Sequence, residues 1–161
     1  MQDNINILFV GIGGQGVLKA SEIAGLAGVF AGYKVKKSEV HGMSQRGGSV
    51  ESHLRIGRRI YSPLIPKGRV DFLVGFDKNE AQKARCYLKK GGLDLSEKLD
   101  LVLKELKNYR SLNICFLGML SCSLPIKEEN WLKAIREEIK KEYLDLNLEA
   151  FYLGRKIGGG V

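Results

Sequence analysis

The chain reads as a three-layer α/β domain with a mainly parallel sheet. Three observations predict this. Ile5 to Val10 is an apolar run broken only by Asn6 and closed by glycines, as expected for a strand buried on both faces. That run leads through a glycine loop into a helical pattern and then a second strand. Such a β-loop-α-β opening favours a parallel sheet with a right-handed crossover. Strand-like segments fall early and helical ones late, so the last third of the chain is helical.

The elements follow in order. From about Gln15 to Ala31, the residues Val17, Ala20, Ile23, Ala24, Ala27 and Phe30 recur at spacings of three and four, and Gly32 is placed to end the helix. Tyr33 to Val40 is the second strand. Val50 to Ile56 alternates, with Val50, Ser52, Leu54 and Ile56 on one side and Glu51, His53 and Arg55 on the other. Gly57-Arg58-Arg59 then turns into Ile60-Tyr61-Ser62, which predicts an inserted antiparallel hairpin. Ser62 to Gly68 is a loop stiffened by Pro63 and Pro66.

Val70 to Phe76 is the next buried strand. Asp77, with Glu80 three residues on, has the spacing of a capping box and opens a helix through about Leu88, stopped by Gly91-Gly92. Asp94 to Lys107 is amphipathic, and Leu112 to Leu124 predicts a buried helix. Lys127 to Lys141 and Leu144 to Leu153 complete the helical part, with Trp131 as a core anchor. Gly158-Gly159-Gly160 reads as a frayed tail.

The bulk numbers fit one domain over residues 1–161. A hydrophobic content of 44% and a charged content of 27% are those of a soluble globular protein. The formal net charge of +8 is scattered along expected helix faces such as Lys89-Lys90 and Lys140-Lys141, the pattern of a wetted surface and not of a nucleic-acid groove. No run approaches membrane-spanning length and no leader precedes the first strand, so the expected location is the cytoplasm. Cys86, Cys115 and Cys122 form no disulfide framework and cannot supply four thiolates to an iron–sulfur cluster. Cys115 and Cys122, seven apart in an apolar run, are expected in the core. Two histidines twelve apart, with no carboxylate array, offer no metal spacing.

Chemistry-bearing residues concentrate in two loops. Gly11-Ile12-Gly13-Gly14-Gln15-Gly16 satisfies G-x-G-x-x-G between a strand and a helix, a Rossmann-like feature whose amides can meet an anion. Glu39, near the end of the second strand, stands about where a dinucleotide site places an acid. Two other readings remain open: glycines that pack helix on strand, or a loop facing a partner protein. The second loop, Ser38-Glu39-Val40-His41-Gly42-Met43-Ser44-Gln45-Arg46-Gly47-Gly48-Ser49-Val50, sets Arg46 beside two glycines, where a guanidinium can grip a carboxylate or phosphate. His41 can act as acid or base or as a hydrogen-bonded structural group, and the same choice applies to His53. There is no P-loop, no thiamine diphosphate signature and no ferredoxin-like cysteine run, so any redox cofactor is expected in another polypeptide.

These residues carry a resemblance. Asn6 to Leu18, Ala31-Gly32-Tyr33 and Ser38 to Val50 closely resemble the small subunit of indolepyruvate ferredoxin oxidoreductase, the module that is the gamma subunit or domain of pyruvate and other 2-oxoacid:ferredoxin oxidoreductases. Tyr61 to Pro66, Asp71 to Phe76 and Leu144 to Phe151 continue the match, which covers most of the chain. It departs after Gly91-Gly92-Leu93, where the family usually continues with another strand and a proline-containing loop and this chain turns at once into a helix.

The resemblance implies an oxidoreductase subunit that is inactive alone. The larger partner would hold thiamine diphosphate and iron–sulfur clusters, decarboxylate a 2-oxoacid, pass electrons to ferredoxin and transfer the acyl group to coenzyme A. By residue match, Gly13, Gly14, Gln15, Gly16, His41, Gln45, Arg46, Gly47 and Gly48 are expected at the junction with that partner, with no bond-making role assigned to any. The alternatives are a stand-alone dinucleotide-binding oxidoreductase and a non-catalytic interaction subunit that forms a homodimer when isolated.

Overall fold

The computed structural model describes residues 4–41 and 47–159. Its five strands are β1 (Asn4–Ile12), β2 (Lys34–His41), β3 (Ser49–Gly57), β4 (Val70–Gly75) and β5 (Leu88–Asp94), in the order β2-β3-β1-β4-β5. β1 takes the centre and is apolar on both faces, with Ile7, Leu8 and Phe9 wholly buried; its neighbour β4 is likewise buried on both faces at Leu73 and Val74.

The sheet is mixed, which corrects the mainly parallel expectation. β1 pairs in parallel with β4, and β4 with β5, whereas β1–β3 and β2–β3 are antiparallel. β1 and β2 do run in the same direction, but β3 lies between them.

The antiparallel pair is also not the one the turn residues indicated. β3 pairs with β2 on one side and β1 on the other, while Ile60-Tyr61-Ser62 is not a strand. Side chains of the sheet hold that segment instead. Arg55 Nη1 donates to the Ser62 carbonyl at 2.9 Å, Lys36 Nζ to the Tyr61 carbonyl at 3.3 Å, and the Ile65 N–H to His53 Nδ1 at 3.2 Å. With Ile60 and Ile65 buried, residues 58–69 form a strap against the sheet. β3 could not take a third partner, since both its rails are already used.

The helices are α1 (Val17–Phe30), α2 (Lys78–Ala84), α3 (Leu99–Glu105), α4 (Leu112–Ser121), α5 (Glu128–Glu138) and α6 (Leu144–Gly158). The main core lies between one face of the sheet and the layer that includes α1, α4, α5 and α6. It joins Ile7, Phe9, Leu54, Ile56 and Val74 to Ala20, Ile23, Phe116, Trp131 and Phe151. The opposite face carries a thinner layer, in which Ala81 and Ala84 of α2 and Ile65 of the strap pack on Leu8, Val10 and Leu73.

The Asp77 side chain accepts the Glu80 N–H at 3.0 Å, so α2 begins where its cap indicates. It ends sooner than expected. Arg85–Tyr87 is a 3-10 turn, and Gly91-Gly92 lies inside β5 rather than ending a helix. Gly92 suits the strand because a Cβ there would meet the Val70 carbonyl oxygen at 2.9 Å.

At the C-terminus, α4 is buried on every side and α6 crosses it closely. A Cβ on Gly154 would strike the Cys115 carbonyl oxygen, and one on Gly158 would lie 2.8 Å from Met119 Cα. Gly158 is therefore part of a packed helix and not of a frayed tail. Cys115 is in the core, as expected, and burial pushes its thiol up to about 12. Cys122 is not: it caps α4 and is exposed.

Candidate functional site

The carboxyl ends of β1, β2 and β4 share one edge of the sheet, the place where open α/β folds present ligands. Both glycine loops emerge there. The Gly13 N–H donates to the Gly48 carbonyl at 3.0 Å, and a Cβ on Gly13 would sit in ordinary van der Waals contact with Gly47, 3.4 Å from its nitrogen. The structure thus brings Gly13, Gly14, Gln15 and Gly16 together with Gly47 and Gly48. His41 ends β2 at the mouth of the second loop, paired with Val50 and exposed. Gln45 and Arg46 lie outside the described residues.

Left-handed glycines shape the first loop. Gly14 has φ of 93° and Gly16 has φ of 77°, and Gly16 is the N-cap of α1. Among the described residues no side chain caps that helix, and its first turn holds no acid. This helix start lies beside the exposed glycines Gly13, Gly14 and Gly47, an arrangement able to receive an anionic or carbonyl oxygen.

Gln15 does not face outward. Its Oε1 accepts the Ile12 N–H at 2.9 Å, and its Nε2 donates to the Phe76 carbonyl at 3.1 Å and lies 3.2 Å from the Tyr109 hydroxyl. The Asn113 side chain donates to the Gly16 carbonyl at 3.2 Å. Tyr109 and Asn113 were not among the expected residues. A lone amide within the apolar run Leu112-Asn113-Ile114 was a signal for Asn113; Tyr109 had none, because its partner lies 94 residues away.

Two further expectations resolve on geometry. His53 is buried, accepts a backbone N–H at Nδ1, and turns Nε2 toward Glu51 at 3.5 Å, which is the structural reading of that residue. Glu39 pairs with Lys37 at 3.0 Å on an outer strand. Because β3 separates β1 from β2, Glu39 is one strand further from the glycine loop than a dinucleotide site requires. Gly13 also spends its N–H on Gly48. Among the described residues, no group of three or more His, Cys, Asp or Glu side chains could hold a metal ion, and no helix is long and apolar enough to cross a membrane.

This architecture defines a class. It superposes on the gamma subunit of a keto/oxoacid ferredoxin oxidoreductase from Geobacter sulfurreducens with a TM-score of 0.79 at 23% identity, over 98% of this chain and 99% of that one. It also matches, with a TM-score of 0.82 at 20% identity, about a third of a 2-oxoglutarate:ferredoxin oxidoreductase chain from Magnetococcus marinus, whose structure has 2-oxoglutarate, coenzyme A and succinyl-CoA bound; the match covers 100% of this chain and 32% of that one. Residues 6–157 match the model of the pyruvate ferredoxin/flavodoxin oxidoreductase family, and the chain belongs to that family. It is similar to indolepyruvate oxidoreductase subunit IorB of Thermococcus kodakarensis, at 33% identity over 94% of each chain, and to that of Archaeoglobus fulgidus, at 34% identity over 93% of each.

Proposed function

We infer that this chain is the small subunit of a 2-oxoacid:ferredoxin oxidoreductase of the indolepyruvate type. The observation that carries this reading is the Gly13–Gly48 hydrogen bond, which joins the two glycine loops into one backbone-lined edge. The similarity to IorB chains over nearly their whole length supports the choice of an arylpyruvate as the 2-oxoacid. A larger partner subunit would supply thiamine diphosphate and iron–sulfur clusters for decarboxylation and for electron transfer to ferredoxin. This chain's own contribution is shape and anion affinity. The first amides of α1 and the Arg46 guanidinium would meet the anionic groups of the oxoacid or of coenzyme A, or the cofactor-bearing face of the partner.

The test is anaerobic reconstitution with the larger subunit, followed by indolepyruvate-dependent and coenzyme A-dependent reduction of ferredoxin. Arg46→Ala is expected to lower turnover or assembly, since losing a desolvated charge contact costs roughly 2–5 kcal/mol. A variant complex equal to the wild type in activity and in coenzyme A affinity removes Arg46 from the site. Turnover by the small chain alone removes the subunit reading altogether. The stand-alone dinucleotide reading is disfavoured by the strand order, and fluorescence titration with NADH tests it: saturable micromolar binding would restore it.

A further inference from the structure

We propose that β2 is a self-pairing edge, through which two copies of this chain join their sheets antiparallel about a two-fold axis at Ser38. The sheet has two outer strands, and they are built differently. β5 carries a register shift between Val70 and Phe72 in its pairing with β4, and has Gly91 at φ of 80°; such irregularity guards an edge against further pairing. β2 has neither a proline nor a glycine, and it pairs with β3 without a break from Lys34 to His41. Its outer end is apolar as well as polar, with Val40 45% exposed.

The charge pattern selects a single register. Two-fold pairing within one continuous sheet must oppose side chains of the same face, so the axis must pass through a residue. With the axis at Ser38, Lys37 of each copy stands opposite Glu39 of the other, making two oppositely charged cross-strand pairs. Moving the axis to Lys37 opposes two lysines, and moving it to Glu39 opposes two glutamates. In the Ser38 register Val35 faces His41, and Lys36 faces Val40, whose exposed side chain the lysine stem can cover. Lys37 and Glu39 already lie 3.0 Å apart on the same face, so both charges are at hand for exchange between copies.

The geometry has a consequence for the candidate site. A two-fold axis perpendicular to the sheet reverses strand direction, so the glycine-loop edges of the two copies point to opposite ends of the joined sheet. Each stays open to a larger subunit, and self-pairing does not compete with the proposed enzymatic role.

Sedimentation velocity of the purified full-length chain over a concentration series at low salt is the test. A reversible monomer–dimer equilibrium is expected. Lys37→Glu and Glu39→Lys should each weaken it by about tenfold or more, while K37E/E39K should return it to within about threefold of wild type. A wild-type chain that stays monomeric at all concentrations overturns the proposal. So do single variants that dimerise like wild type, or a double variant as weak as the singles. Because Lys37 also reaches Glu22 at 3.9 Å, the variants are checked by circular dichroism. Amide hydrogen exchange on the wild type gives a readout free of substitution: protection of β2 should rise with protein concentration, and concentration-independent exchange there overturns the proposal.

Discussion

Gln15 Nε2 donates to the Phe76 carbonyl oxygen at 3.1 Å, tying the glycine loop after β1 to the strand end before α2. The same side chain accepts the Ile12 N–H, so one amide closes its own loop and anchors it to the neighbouring strand. The expected partner-facing glutamine is therefore a brace for the edge that the exposed glycines present.

Gln15→Ala should destabilise the chain by about 2–3 kcal/mol, because it orphans a part-buried N–H and a carbonyl at once. At about 2–4 °C per kcal/mol, that is a fall in Tm visible by calorimetry. Gln15→Glu should not rescue it, since a second carboxylate oxygen would face the Phe76 carbonyl where a donor is needed. A Gln15→Ala protein melting with the wild type would show that the brace carries no weight.

Gly16→Ala should be costly for two separable reasons. Its φ of 77° is left-handed, worth roughly 1–2 kcal/mol against an L side chain. The added Cβ would also run into the Asn113 side chain. In chemical denaturation, Gly16→Ala combined with Asn113→Ala should regain the steric part and keep the conformational part. Strict additivity of the two changes would contradict the contact.

Gly154→Ala should be the most damaging small change in the chain. Its methyl group has nowhere to go but into the Cys115 carbonyl, and two packed helices must separate to admit it. A loss above about 4 kcal/mol, or failure to fold, is expected. Tyr152→Ala, on the exposed side of the same helix, should change stability far less. Equal effects from the two would mean that the α4–α6 approach is not tight.

Cys115 makes a prediction about pH. Its thiol is raised from an ordinary 9.0 to about 12 by burial, so the folded state holds a proton that the unfolded state gives up. Stability is unaffected below pH 9 and falls between pH 9 and 12, by up to about 1.4 kcal/mol per pH unit from this group. Cys115→Ala should lose that slope, though it also leaves a small cavity. At pH 8 a thiol reagent should label exposed Cys86 and Cys122 readily and Cys115 only on unfolding. Rapid labelling of all three would show that α4 is not buried as described.

What the residues announced in advance were local matters. The apolar run of β1, the Asp77 cap and the mostly apolar α4 each write their conformation into a few neighbouring side chains, and the glycines marked both loops as loops. Partner choice was not legible. Ile60-Tyr61-Ser62 has a strand's composition, yet β3 had already filled both its rails with β2 and β1, and Arg55 and His53 turned the segment into a strap. Gly91-Gly92 resembles a stop signal, but in space it is the point where β5 passes close to the Val70 carbonyl. Likewise, Gln15 was expected at the partner junction, but its side chain is engaged by Phe76 and Tyr109, 61 and 94 residues along the chain. Short-range pattern decides which elements form. Which strands and side chains then satisfy one another depends on competition among distant backbone groups for the same donors and acceptors, and only the folded chain settles that.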